Sequence, residues 1–236
     1  MTTSGQILLI SNSTVYGRGY LDHGQEEIRR VLKSRRTILF FPYALADHDA
    51  YAAKVRRRFT AMGYSLESIH ASDAPKAAVA GADAFFIGGG NTFRLVKALQ
   101  DLELIERIRD KVRSGTPYIG SSAGSNVAGL TIKTTNDMPI VQPHSFDALA
   151  LVSFQLNPHF LDSNPNSKHM GETREERIIQ FLEENETPVV GLREGAWLTI
   201  ENSRVTVGGE NGARIFRRGQ TPNEAETGTE ITSMVE

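Results

Sequence analysis

Pro117 to Asn126 reads PYIGSSAGSN, an apolar run that ends in glycine, serine and alanine. A tight turn needs glycine, but three serines crowded into one turn point to a displayed hydroxyl. Gly120-Ser121-Ser122-Ala123-Gly124 matches the G-x-S-x-G pattern of a nucleophile elbow, with Ser122 at its centre. In that device a strained strand-to-helix turn lifts one hydroxyl above a sheet, and small neighbours avoid clashes. The N–H of Ala123 then lies beside the reacting centre, where it can donate to a developing oxyanion. Ser121 and Ser125 are rivals, but neither stands midway between the two glycines. Ser122 is the expected nucleophile.

A serine needs a base. In LNPHF, His159 follows an apolar stretch and a proline that restricts the backbone, which suits a histidine at the end of a strand. A third group would orient the imidazole, and two carboxylates qualify: Asp137 in TTNDMP and Glu194 in LREGAW, both in turns. A second glycine cluster lies in FFIGGGNTFRLVKAL, where a buried strand runs into Gly88, Gly89 and Gly90 and a helix opens near Asn91 or Thr92. Backbone N–H groups at such a junction can hold a phosphate or an oxyanion. Neither G-x-G-x-x-G nor a P-loop lysine is present, so the nucleotide reading is weak, and a sharp turn alone would also explain the glycines.

The surrounding pattern must position these groups. Short apolar runs (QILLI, TILFF, ADAFFI, TPYIG, PVVGL) alternate with helical segments: Gln25–Ser34, Ala50–Met62 after an Asp47 or Asp49 cap, a third from Thr92 to Lys97, and a fourth from Leu104 to Val112. Continuous apolar strands with intervening helices predict an α/β fold, a mostly parallel sheet with helices on both faces. After Trp197, the runs AWLTI, RVTV and ARIF between polar turns read as antiparallel additions. One domain is expected over 1–220, followed by a loose polar tail over 221–236.

Composition narrows the class. The 236 residues are 39% hydrophobic and 23% charged, with net charge −2, which leaves no basic footprint for nucleic acid or an anionic membrane. No apolar run approaches the roughly 20 residues of a membrane span, and the N-terminus lacks a signal-peptide pattern. The absence of cysteine excludes disulfides, thiolate metal sites and a cysteine nucleophile, and suits a reducing compartment, so the expected location is cytoplasmic. KVRRRF at Lys54 to Phe59 reads as the solvated face of a helix, and DHD at Asp47 to Asp49 reads as capping instead of a metal site. His23, His70 and His144 show no local partner, and His169 falls in a polar loop.

Taken together, IGGGNTF, PYIGSSAGSN, TTNDMPIV, NPHF, GETREERI and GLREGAW resemble the peptidase E family of aspartyl dipeptidases, over nearly the whole chain apart from the tail. The resemblance implies a fold similar to the class I glutamine amidotransferase domain. It also implies hydrolysis of dipeptides with an N-terminal aspartate, without metal or cofactor. It places the nucleophile on Ser122, the base on His159, the acid on Asp137 with Glu194 as the alternative, and the oxyanion donors on Gly90 and Ala123. The family's substrate contacts fall on Arg174 and Asn91.

Physical chemistry adds to Arg174. Thr173 and Glu176 form a T-x-x-E capping box, so a helix should start at Arg174. A cation there opposes the macrodipole, and such a local conflict marks a functional residue. A guanidinium at a positive helix end would hold an aspartate side chain, whereas the plainer alternative pairs Arg174 with Glu175. Two other readings stay open: a related hydrolase of isopeptide-linked aspartyl polymers such as cyanophycin, and a non-catalytic binder of phosphorylated ligands. The sequence leaves monomer and homodimer undecided.

Overall fold

Four strands, β1 (Ile7–Ile10), β2 (Thr37–Phe41), β4 (Phe85–Ile87) and β5 (Tyr118–Ser121), are apolar on both faces and almost wholly buried. That pattern forces cover on each side of the sheet they form. With the polar edge strand β3 (Ser65–Ser68) they make five parallel strands. Two antiparallel strands, β8 (Ala196–Glu201) and β9 (Arg204–Gly209), complete the order β3-β2-β4-β5-β1-β8-β9. The structure is a computed structural model describing residues 5–164, 166, 168 and 170–236. His169 lies outside the described residues.

Side chains alternate along each strand, so neighbours enter different cores. Leu8, Ile10 and Phe86 pack beneath helices α1 (Gln25–Leu32) and α2 (His48–Ala61). Ile7, Leu9, Phe85 and Ile87 face the other layer, which contains α3 (Pro75–Gly81), α4 (Thr92–Asp101), α5 (Ile105–Arg113) and the short α6 (Ala123–Asn126). Asp47 caps α2 as expected, accepting the Ala50 N–H at 2.9 Å.

A second sheet was not legible in the periodicity. β6 (Gln155–Phe160) and β7 (Val189–Arg193) pair in parallel across the crossover helix α7 (Arg174–Glu184). β10 (Ala213–Phe216) and β11 (Asn223–Ala225) add antiparallel, in the order β11-β10-β7-β6. PVVGL therefore belongs to this sheet and not to the large one. Val190, Leu192, Ala213 and Ile215 share a core with Ile7 and Leu9, so the two sheets are packed together.

The expected loose tail is ordered instead. β11 pairs with β10, the Ile231 N–H donates to the Val205 carbonyl at 2.9 Å, and Ala225, Ile231 and Val235 are buried. A few apolar side chains at wide spacing, each meeting a ready-made core, suffice to anchor a segment whose composition is polar.

Candidate active site

Ser122 sits between β5 and α6 with φ 54° and ψ −111°, a conformation that costs an L-residue of order 1–3 kcal/mol. Its neighbours hold it there. The Ser122 N–H donates to Ile10 O at 3.0 Å, and Ser122 O accepts from the Ser125 and Asn126 N–H groups at 2.8 and 2.9 Å. A Cβ on Gly124 would lie 2.0 Å from the Ile87 carbonyl oxygen, so this turn closes only with glycine. The rival serines face inward. Ser125 Oγ donates to Ile10 O at 2.7 Å in the core, and the Ser121 hydroxyl is buried without a partner among the described residues. Ser122 alone of the three lines the cleft.

His159 reaches Ser122 from the second sheet. The β6–β7 register passes from Pro158 opposite Leu192 to Phe160 opposite Arg193, leaving His159 as the extra residue of a bulge with φ 55°. Bulges re-aim side chains. The His159 N–H donates to Ser11 Oγ at 2.9 Å, and the Ser11 hydroxyl donates to Leu192 O at 2.8 Å. This buried hydroxyl, one residue past β1, pins the bulge to the large sheet. Sequence reasoning passed over Ser11. Its only trace there is a serine directly after a buried strand.

The imidazole bridges two groups: Nε2 is 3.0 Å from Ser122 Oγ and Nδ1 is 2.7 Å from Glu194 Oε1. A proton on Nδ1 directed at the carboxylate leaves the Nε2 lone pair facing the hydroxyl. The carboxylate against His159 is thus Glu194, and the expectation that favoured Asp137 is corrected. Asp137 Oδ2 instead accepts the Thr92 N–H at 2.7 Å and the Thr92 hydroxyl at 2.6 Å, closing the start of α4. Turn rigidity had argued for Asp137, yet rigidity does not give direction. Glu194 is also less loose than its glycine neighbour suggests. Asn12 Oδ1 accepts the Gly195 N–H at 2.8 Å, and Asn211 Nδ2 donates to Glu194 O at 2.6 Å. The His159 and Glu194 side chains are 42% and 52% exposed, so geometry and not burial keeps them aligned.

These groups line a cleft of about 680 Å³ together with Gly89, Gly90, Ala123, Asp137 and Arg174. The Gly88–Gly90 turn lies against the elbow, since a Cβ on Gly89 would fall 2.9 Å from Ser122 Cβ. Arg174 opens α7 behind the expected capping box, whose two bonds are both formed. Glu175 is taken by Arg214 at 2.9 Å, so the plainer pairing with Arg174 is not made. Among the described residues no carboxylate lies within ion-pair distance of Arg174. Burial lowers its pKa and nearby Arg177 adds to this, while Asp137 opposes them. A guanidinium stays charged regardless, so the cleft presents an unpaired cation.

Asn91 stands between Gly90 and Thr92, which both line the cleft. Its Oδ1 accepts the Arg94 N–H at 3.0 Å as the cap of α4, and its Nδ2 donates to Met138 O at 2.9 Å. It therefore positions the turn carrying Asp137. Tyr20 also lines the cleft, and burial and the adjacent Tyr51 hydroxyl push its phenol well above its ordinary value, keeping it neutral.

A mostly parallel α/β fold bearing a serine on a strained turn, in line with imidazole and carboxylate, defines a serine hydrolase. Residues 7–208 match Peptidase family S51, and the chain belongs to that family. It is 50% identical to a peptidase E of Streptomyces coelicolor over 230 residues, covering 98% of this chain and 95% of the relative. It is 41% identical to a probable alpha-aspartyl dipeptidase of Drosophila melanogaster over 239 residues, with all of both chains covered. In fold it is similar to a peptidase from an acI-B1 Actinobacterium, with TM-score 0.73, 16% identity, and 98% and 97% of the two chains covered. A putative peptidase E of Listeria monocytogenes gives TM-score 0.66 at 20% identity, with 89% and 99% covered. Among the described residues no helix is long and apolar enough to cross a membrane.

Proposed function

We propose that the chain is a serine-type dipeptidase that hydrolyses Asp-X dipeptides. The observation that carries this reading is the Ser122–His159–Glu194 alignment sharing one cleft with an unpaired Arg174. His159 Nε2 takes the Ser122 proton as Oγ attacks the peptide carbonyl carbon. The Gly90 and Ala123 N–H groups receive the oxyanion, and Glu194 stabilises the imidazolium. The C–N bond breaks as His159 returns the proton to the leaving amine. Water then attacks the aspartyl ester, His159 takes its proton, and free aspartate leaves while Ser122 Oγ is reprotonated.

An N-terminal aspartate carries a side-chain carboxylate and an ammonium group close together. Arg174 and Asp137 both line the cleft, one free cation and one carboxylate, and they match that pair of charges. The relatives' names, peptidase E and alpha-aspartyl dipeptidase, agree with this substrate. The absence of cysteine and the net charge of −2 support a cytoplasmic enzyme working on small dipeptides without nucleic acid or membrane. A panel of Asp-X, Glu-X, Asn-X and β-aspartyl dipeptides tests the reading. Hydrolysis of Asp-X well ahead of the rest is expected, whereas preferential cleavage of the β-aspartyl substrate would move the chain to isopeptide hydrolysis.

A further inference from the structure

The run KVRRRF contains four cations, and the fold separates them. Arg56 donates to Leu66 O, Arg58 pairs with Asp22 at 2.9 Å, and Lys54 alone of the four lines the active-site cleft. Lys54 Nζ stands 4.6 Å from the centroid of the Tyr20 ring, over its face. Among the described residues no carboxylate comes within ion-pair distance of it. The cleft thus holds two cations without acidic partners, Arg174 and Lys54.

They stand on different layers. Tyr51, one turn before Lys54 on α2, belongs to the core under α1 and α2, as does the packing of Tyr20. Arg174 opens α7, whose Ile178 and Leu182 pack on the second sheet with Phe160 and Phe216. Ser122 follows β5 in the middle of the large sheet, which packs α2 on one face and shares a core with the second sheet on the other. A substrate with its aspartate on Arg174 and its carbonyl at Ser122 therefore directs its leaving residue toward the Tyr20 wall. In a dipeptide that residue ends in a carboxylate, one residue of at most about 3.6 Å beyond the scissile bond.

We infer that Lys54, steadied over Tyr20, binds the C-terminal carboxylate of the leaving residue and thereby selects dipeptides over longer or blocked chains. The inference rests on the aspartyl dipeptidase reading. Tyr20 serves as the apolar wall and fixes the ammonium by cation–π contact, and Leu45, which also lines the cleft, offers contact for the side chain of X. Lys54 is exposed on a helix, so replacing it leaves the core untouched.

The test is kcat/KM for Asp-Leu and for Asp-leucinamide, at one ionic strength, with the native chain, Lys54→Met and Lys54→Arg. The native chain should prefer the free carboxylate by roughly tenfold, the scale of one hydrogen bond to a charged group. Lys54→Met should bring the ratio to about one through loss on Asp-Leu alone, and Lys54→Arg should restore it. Equal loss on both substrates, or an unchanged ratio in Lys54→Met, overturns the subsite. Equal turnover of the two by the native chain also overturns it while the dipeptidase reading stands. If the native chain cleaves neither, that reading fails and the subsite falls with it.

Discussion

The two halves of the candidate triad are built in opposite ways. The Ser122 elbow is local: β5, the strained residue and α6 span Tyr118 to Asn126, and the contacts that shape it come chiefly from adjacent strands. The His159–Glu194 half is assembled at long range, from a bulge in β6, the turn between β7 and β8, a serine after β1 and two asparagines. One half is a motif, the other a meeting. Damage to the first should remove the chemistry outright, and damage to the second should grade with distance from the imidazole.

The largest expected effect is at the local half. Ser122→Ala should lower kcat on an Asp-X substrate by on the order of 10⁶-fold, because members of such a constellation act as a unit. Ser121→Ala should change it little, since that hydroxyl is buried away from the cleft. Steady-state turnover with both proteins equally folded checks this, and the reverse ranking would move the nucleophile to Ser121.

At the assembled half, Glu194→Gln should lower kcat by roughly 10⁴-fold, as when a triad histidine loses its orienting carboxylate. Asp137→Asn should act mainly by raising KM, because its carboxylate faces the cleft and the start of α4 instead of the imidazole. If Asp137→Asn abolishes kcat while Glu194→Gln retains it, the geometric assignment is wrong.

Arg174→Met comes next. Loss of the charged partner of a partly buried carboxylate should reduce kcat/KM for Asp-X by about 2–4 kcal/mol, and slow Asn-X turnover should suffer less. Equal losses on both substrates would make Arg174 a structural residue.

The smallest effect expected is that of Ser11→Ala, which leaves the His159 N–H without its buried acceptor at 2.9 Å. A cost of about 1–3 kcal/mol should appear as lower thermal stability, with kcat reduced about tenfold as the bulge loosens. Unchanged kcat and melting temperature would show that the bulge holds its own shape.

Local rules went far with this chain. The glycines around Ser122, the capping box before Arg174 and the Asp47 cap concern groups within a few residues of each other, where backbone sterics and hydrogen bonds leave few solutions. Strand runs were legible because burial on both faces demands unbroken apolar residues. The polar edge strand β3 and the short α3 carry no such signal and were passed over.

Other features were decided by packing. Whether Asp137 or Glu194 reached His159 depended on a bulge and on how the second sheet rests against the first, and neither leaves a period in the sequence. The same holds for Asn91, whose amide is engaged by α4 and Met138, and for Lys54, one cation of four turned into the cleft. It holds for the tail, where Ala225, Ile231 and Val235 find a core built by other strands. From sequence alone came the candidate nucleophile, the cation at the helix start and the α/β class, because neighbours in the chain determine them, and His159 as a histidine at a strand end. The tertiary structure alone placed Glu194 against His159, formed the second sheet and ordered the tail, because groups 35 or 183 residues apart meet only when whole layers pack.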